Sequence, residues 1–344
     1  MPRDLRFDDV VHAYRWILGR EPESLDVVGD QARVGWDIQG LRAILLNSPE
    51  FKHAFLNLEP MGPPRPIVAP PAHRLVFFHI PRSGGTTLHH MLTAAVGAER
   101  VSPVRHNNLW RCLASDLALA RLFCGHYDRD SLAVIPGPAV KVATVLREPR
   151  ARLVSLYDYL RAHRSEAIAP ANLDLAQAAR KYGLGDFLQA ALEINPAAVD
   201  NACLRTFGGW LPYRRWEQAA EPSAPKTLAD FGFPIEALVR RAECFLSDMA
   251  AVGILEQFEE SAQAIFTAFG LGSPLPVGAL HSLESLNKGN ETFEPVRPLT
   301  ITRLDALRLD EMTRYDSQLY DHARTLLANV INAQAGREQA QLAS

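Results

Sequence analysis

The sequence predicts an α/β fold with parallel strands, preceded by a small all-α segment. Three observations carry this: a strand, loop and helix pattern from Arg74 to Val96; a second β-branched run from Val140 to Leu146 leading into a proline-opened helix; and a proline-rich stretch that separates both from a helical N-terminus.

In the N-terminal part, residues 1–59, Val10, Val11, Tyr14, Ile17 and Leu18 share one helical face, and Gly19 suits the stop. Leu41, Ile44 and Leu45 make a second apolar face. Ser48-Pro49-Glu50 then reads as a helix start, a cap followed by a first-turn proline and an acid beside the helix dipole, with Phe51, Phe55 and Leu58 continuing that helix. Residues 60–72 carry prolines at 60, 63, 64, 66, 70 and 71 and read as a semi-extended linker.

Next, Leu75, Val76, Phe77 and Phe78 form a buried strand that stops near His79, because a proline and two glycines follow. The period then changes: Leu88, Met91, Leu92, Ala95 and Val96 recur at helical spacing. Between them, Pro81-Arg82-Ser83-Gly84-Gly85-Thr86-Thr87 places glycines, hydroxyls and a fixed cation at a helix N-terminus. That is the chemistry of an anion cradle. The cation precedes the glycines, unlike the nucleoside triphosphate loop in which a lysine follows the second glycine.

Leu113 to Ala120 reads as helix, and Arg121 to Tyr127 as a short strand interrupted by Gly125. His126 at its end is either a catalytic candidate, since strand carboxyl ends line the crevice of an open α/β sheet, or a histidine bonded within a loop. The strand at Val140–Leu146 ends in Arg147-Glu148-Pro149, and the helix opened by that proline buries Leu153, Leu156, Tyr157 and Leu160. Ser155 falls in its second turn. Arg147 and Ser155 can converge on a second anion, or be a surface arginine and a solvated serine.

Composition sets the outer limits. At 344 residues, 47% hydrophobic and 22% charged, the chain supports one large core with a small accessory unit. A net charge of -3 speaks against a nucleic-acid or membrane surface, so any anion site must be local. Cys112, Cys124, Cys203 and Cys244 have no metal-ligand spacing and read as free core thiols. The start, MPRDLRFDDVV, lacks the apolar core of a signal peptide, and no apolar run reaches membrane-spanning length; a cytoplasmic location is the expectation.

Two cationic strand ends imply a ligand with two separated phosphate-like groups. Here the sequence resembles the PAPS-dependent sulfotransferases, of the bacterial and Golgi carbohydrate type related to heparan 2-O-sulfotransferases. The resemblance rests on HIPRSGGTTL at 79–88 and TVLREPRARLVSLYDYLR at 144–161, with CGHYD at 124–128, DNACLRTFGG at 200–209, VGILEQFEES at 252–261 and residues 297–320 agreeing in order. It implies a P-loop-like three-layer parallel sheet flanked by helices over residues 73–333. It also implies 3′-phosphoadenosine 5′-phosphosulfate as sulfate donor, adenosine 3′,5′-bisphosphate as product, a carbohydrate or glycolipid hydroxyl as acceptor, and no metal. By the same resemblance Arg82, Ser83, Gly84, Gly85, Thr86 and Thr87 hold the 5′-phosphosulfate, Arg147 and Ser155 hold the 3′-phosphate, and His126 is the base.

One departure is chemical: the family has lysine where this chain has Arg82, and arginine can neutralise a leaving phosphate but cannot give up a proton. Lys288, in LNKGNE, either covers the donor or is solvated. On the acceptor side, Tyr159, Arg161, His163 and Arg164 could face an anionic glycan, and Trp210, Tyr213 and Trp216 either stack on sugars or pack. YRWILGREPES together with LLNSPEF resembles a small bacterial helical domain found beside enzymes of surface-glycan metabolism. The polar tail, 334–344, reads as disordered. Two other readings of the chain are a P-loop-type kinase using ATP and magnesium, and a catalytically silent glycan-binding or partner-binding protein on the same scaffold.

Overall fold

The computed structural model describes residues 6–33, 37–51, 73–106, 109, 112, 114–127, 129–135, 139–168, 173–208, 228, 234–275 and 292–342. The chain divides into two compact units, Met1–Val68 and Ala69–Ser344. In the first, helices α1 (Phe7–Ala13), α2 (Leu25–Arg33) and α3 (Ile38–Asn47) and the short α4 (Pro49–Phe51) are described, with a π-helical turn at Tyr14–Leu18 that Gly19 ends at φ 69°. Val10, Tyr14, Leu18, Val28, Leu41 and Leu45 are its buried core. Asp37 caps α3 through Gly40 N–H at 2.8 Å, and Ser48 Oγ accepts from Phe51 N–H at 3.0 Å.

The second unit is built on a four-stranded, all-parallel sheet: β1 (Arg74–Phe78), β2 (Leu122–Gly125), β3 (Val140–Leu146) and β4 (Ala251–Ile254), in the spatial order β2-β1-β3-β4. Its helices are α5 (Gly85–Val96), α6 (Ala114–Leu119), α7 (Pro149–Arg161), α8 (Ser165–Ile168), α9 (Asp174–Lys181), α10 (Leu184–Ile194), α11 (Pro196–Val199), α12 (Ala202–Phe207), α13 (Ile235–Asp248), α14 (Phe258–Phe269) and α15 (Arg303–Leu342).

The unbroken apolar run of β1 follows from its central place. Side chains alternate across the strand, so Leu75 and Phe77 join one core with Leu88 and Leu92 of α5 and Ile265 and Phe266 of α14. Val76 and Phe78 join the opposite core with Phe245 and Leu246 of α13 and Leu319 and Ala323 of α15. Each such side chain is fully buried or nearly so and contributes about 2 kcal/mol. A third core links α7 with α9, α10 and α11.

The strand order positions the site. From β1 the chain crosses to β2 on one side, then returns past β1 to β3 on the other. The reversal makes the carboxyl ends of β1 and β3 a topological switch point, where open parallel sheets form their ligand crevice.

Helix α15 is fastened to α12 by a polar plug. Asn201, in left-handed backbone at φ 45°, donates its N–H to Met312 O at 2.8 Å, and its Oδ1 accepts from Tyr315 N–H at 2.7 Å and Asp316 N–H at 3.1 Å. It therefore engages both members of the pair, Met312 O and Asp316 N–H, that closes a regular helical turn. The Asp316 carboxylate in return accepts from the first-turn N–H groups of Cys203 and Leu204, at 3.1 and 2.9 Å. Burial raises the pKa of Asp316, and the charge of Arg152, itself 1% exposed, opposes that rise.

The tail differs from the sequence expectation. Helix α15 runs through Leu342, so residues 334–342, for which the sequence predicts disorder, are helical. Ala, Gln, Arg, Glu and Leu dominate that stretch and favour helix by propensity alone, which a search for apolar periodicity passes over. The linker lies outside the described residues.

Asn201→Gly keeps the left-handed backbone but removes the acceptor of two N–H groups, one buried and one partly buried. It is expected to lower stability by about 1–3 kcal/mol in urea unfolding at pH 7.

Candidate active site

The cradle forms where β1 ends. After Phe78 the chain turns through Pro81–Gly84 and enters α5 at Gly85, with Arg82 at φ 67° and Gly84 at φ 77°. A left-handed arginine costs on the order of 1–3 kcal/mol, a strain of the kind that persists where surrounding contacts over-determine the backbone. The first ladder bond of the helix is Leu88 N–H to Gly84 O at 3.2 Å, so Gly85, Thr86 and Thr87 form the end that presents amide donors and the positive pole of the dipole. Ser83 is fully buried and its Oγ has no hydrogen-bond partner among the described residues.

Both glycines are required by contact, and Gly84 by its left-handed conformation as well. A Cβ on Gly85 would lie 1.9 Å from His79 Cδ2, and one on Gly84 2.7 Å from Leu255 Cδ1.

Arg147, on the loop that follows β3, donates through Nη1 to the Arg82 carbonyl at 3.2 Å. Arg82 in turn reaches α7: its Nε donates to Ser155 Oγ at 3.1 Å and its guanidinium lies 4.7 Å from the centroid of the Tyr159 ring. Arg82, Arg147 and Ser155, assigned from sequence to two anion groups, thus form one connected cluster across the switch point. Burial lowers the pKa of both arginines; the neighbouring Arg147 adds to that at Arg82, and at Arg147 the carboxylates of Glu256 and Glu148 oppose it.

His126 stands at the end of β2, beside His79, because β2 pairs with β1. His79 N–H bonds to Gly125 O at 2.9 Å, and His126 Nδ1 lies 2.7 Å from the His79 carbonyl. A carbonyl oxygen only accepts, so the proton sits on Nδ1 and the lone pair on Nε2. Burial lowers the pKa of His126, the His79 carbonyl raises it, and the charges of His106 and Arg105 lower it further, so the ring is neutral and basic at neutral pH. His106 stacks on it at 5.8 Å and His79 tilts against it at 4.5 Å. Gly125 admits no Cβ, since the Arg105 carbonyl would lie 2.5 Å away.

His79 is a residue of the candidate site that sequence reasoning missed. Its carbonyl sets the tautomer of His126, its ring fills the space over Gly85, and burial, followed by the charges of His126 and Arg105, pulls its pKa to about 3. Only its position, between the end of β1 and the cradle, hints at this in the sequence.

Of the residues read as facing an acceptor, Tyr159 is instead stacked on Arg82. Arg161 is held by Asp158 Oδ1 at 3.0 and 2.8 Å, and His163 Nδ1 by the carbonyls of Tyr159 and Leu160 at 3.0 and 3.1 Å, so both serve the end of α7. Lys288, Trp210, Tyr213 and Trp216 lie outside the described residues. Among the described residues no cluster of His, Cys, Asp or Glu has metal-binding geometry, and no helix is long and apolar enough to cross a membrane.

The unfolded chain protonates His79 below about pH 6.5 while the folded chain resists until about pH 3. Stability is therefore full above that upper value and lost progressively as pH falls through the interval. In urea unfolding against pH, His79→Leu is expected to flatten that slope. Nitrogen-15 NMR of His126 at neutral pH is expected to show the Nδ1–H tautomer. Compared with known proteins, the chain matches no family model and no curated sequence.

Proposed function

We propose that the protein is a sulfotransferase that moves the sulfuryl group of 3′-phosphoadenosine 5′-phosphosulfate to a carbohydrate hydroxyl, on a P-loop-like scaffold. The observation that carries this reading is the cluster at the switch point. Two loops with one arginine each are joined by the Arg147 to Arg82 bond at 3.2 Å, so a single ligand with two anionic groups suits them better than two independent ions.

The donor supplies the transferable group. Arg82, the Ser83 hydroxyl and the first-turn amides of Gly85, Thr86 and Thr87 would hold its 5′-phosphosulfate. Arg147 and Ser155 would hold the 3′-phosphate, the Ser155 hydroxyl proton being available because its oxygen accepts from Arg82. Arg82 stays cationic throughout and acts by charge alone, with no proton to give. His126 Nε2 would take the proton of the attacking hydroxyl. Its Nδ1–H stays on the His79 carbonyl, which steadies the ring as it becomes imidazolium. The resemblance of residues 79–88 and 144–161 to the carbohydrate sulfotransferases supports the acceptor class, a polysaccharide or glycolipid hydroxyl.

The test is sulfur-labelled donor incubated with a panel of polysaccharides and glycolipids. Label transfer is expected with the native chain. His126→Ala is expected to lower turnover by about 10²–10⁴ while the bisphosphate product still binds. Because burial holds His126 below the ordinary imidazole range, kcat/KM is expected to stay level from neutral pH down to about 6.5 and to fall only below it. No transfer to any acceptor, with ATP consumed instead, would refute the reading.

A further inference from the structure

Arg82 is the cation of the cradle, yet its side chain does not simply extend from its own loop. It crosses to α7, where Ser155 and Tyr159, four residues apart, stand one above the other on the same face. Ser155 fixes the Nε edge at 3.1 Å; the Tyr159 ring lies 4.7 Å from the guanidinium carbon. One contact sets the direction of the group and the other fixes it over a ring.

The ring is itself immobilised. Phe293 tilts against Tyr159 at 5.4 Å and His163 meets it edge-on at 4.9 Å. Behind them the 292–294 segment is bonded to the end of α7, by Arg164 N–H to Thr292 O and Glu294 N–H to Ala162 O, both at 2.8 Å. Phe293 is buried and forms a bridge with His163. A platform so supported is costly to displace, and a planar, weakly hydrated guanidinium stacks on an aromatic face where a compact, strongly hydrated ammonium does so less well.

We infer that Tyr159 is a positioning residue for Arg82, a platform that makes arginine rather than lysine the effective cation of this cradle. The identity of the anion rests on the sulfotransferase reading; the Arg82 to Tyr159 coupling does not.

The test is a double-mutant cycle of Arg82→Lys and Tyr159→Leu, with Tyr159→Phe as the conservative control, on the full-length protein. It is read first by calorimetric titration with adenosine 3′,5′-bisphosphate. Tyr159→Leu is expected to weaken binding about tenfold and Tyr159→Phe less than about twofold, because the ring face and not the hydroxyl does the positioning. Arg82→Lys is expected to weaken binding, and adding Tyr159→Leu to it to change little more. Native-like or tighter binding by Tyr159→Leu would mean that the ring parks the arginine away from the ligand, and overturns the proposal. So does an equal loss in both backgrounds. If the native protein does not bind the bisphosphate, the donor reading fails, and the proposal is judged by the same cycle in urea unfolding. A coupling of at least about threefold in the unfolding constant supports the contact, and additivity overturns it.

Discussion

The bond from Arg147 Nη1 to the Arg82 carbonyl is the tie on which the site depends. It joins the loop after β1 to the loop after β3 across the point where the sheet reverses order, and it does so through the backbone of a residue in left-handed conformation. Parallel strands cannot be linked by short turns, so the two loops are far apart in the chain and meet only because both central strands are buried on two faces. The hydrophobic cores above and below β1 therefore do more than stabilise. They fix the register of Phe78 against Thr144 and Gly125, and with it the spacing of the cradle, the second arginine and the histidine. The Thr144 hydroxyl, bonded to the Phe78 carbonyl at 2.9 Å, locks the strand end nearest the cradle.

Around that tie the polar groups fall into two kinds. The plug at Asn201, the Asp316 cap and the Asp158 to Arg161 pair satisfy one another and hold helices in place. Ser83 Oγ and His79 Nδ1 are buried and unpaired among the described residues, and both sit in or beside the cradle. Unpaired buried groups each cost about 1–3 kcal/mol, so these two make the loop after β1 a place where the fold gives up stability. The histidine pair shows the same economy: one backbone carbonyl, that of His79, suffices to orient the ring of His126, while the surrounding burial keeps both rings neutral.

What the sequence makes legible here is local. The apolar run of β1, the switch to helical spacing after Thr86 and the glycines between them are read within two dozen residues, and they match β1 and α5 closely. Arg147 and His126 could be placed at strand ends for the same reason. The partners could not: Arg82 and Ser155 are 73 residues apart, and no periodicity reports that they touch. In sequence, Tyr159 among arginines and a histidine reads as a residue that could face an anionic glycan. Stacking on Arg82 is a tertiary fact. The strand order, the Asn201 plug and the helical tail are hidden for related reasons, since the first two depend on long-range contacts and the third on propensity without amphipathic pattern.

The central claim is that the two arginines serve one ligand with two anionic groups. It is tested most directly by calorimetric titration of the native protein, without added metal, with adenosine 3′,5′-bisphosphate, adenosine 5′-monophosphate and ATP in parallel. The account predicts that the bisphosphate binds at least about tenfold more tightly than the monophosphate, and that Arg147→Ala removes most of that difference while leaving the monophosphate affinity nearly unchanged. Equal affinity for bisphosphate and monophosphate, or a preference for ATP, would contradict it.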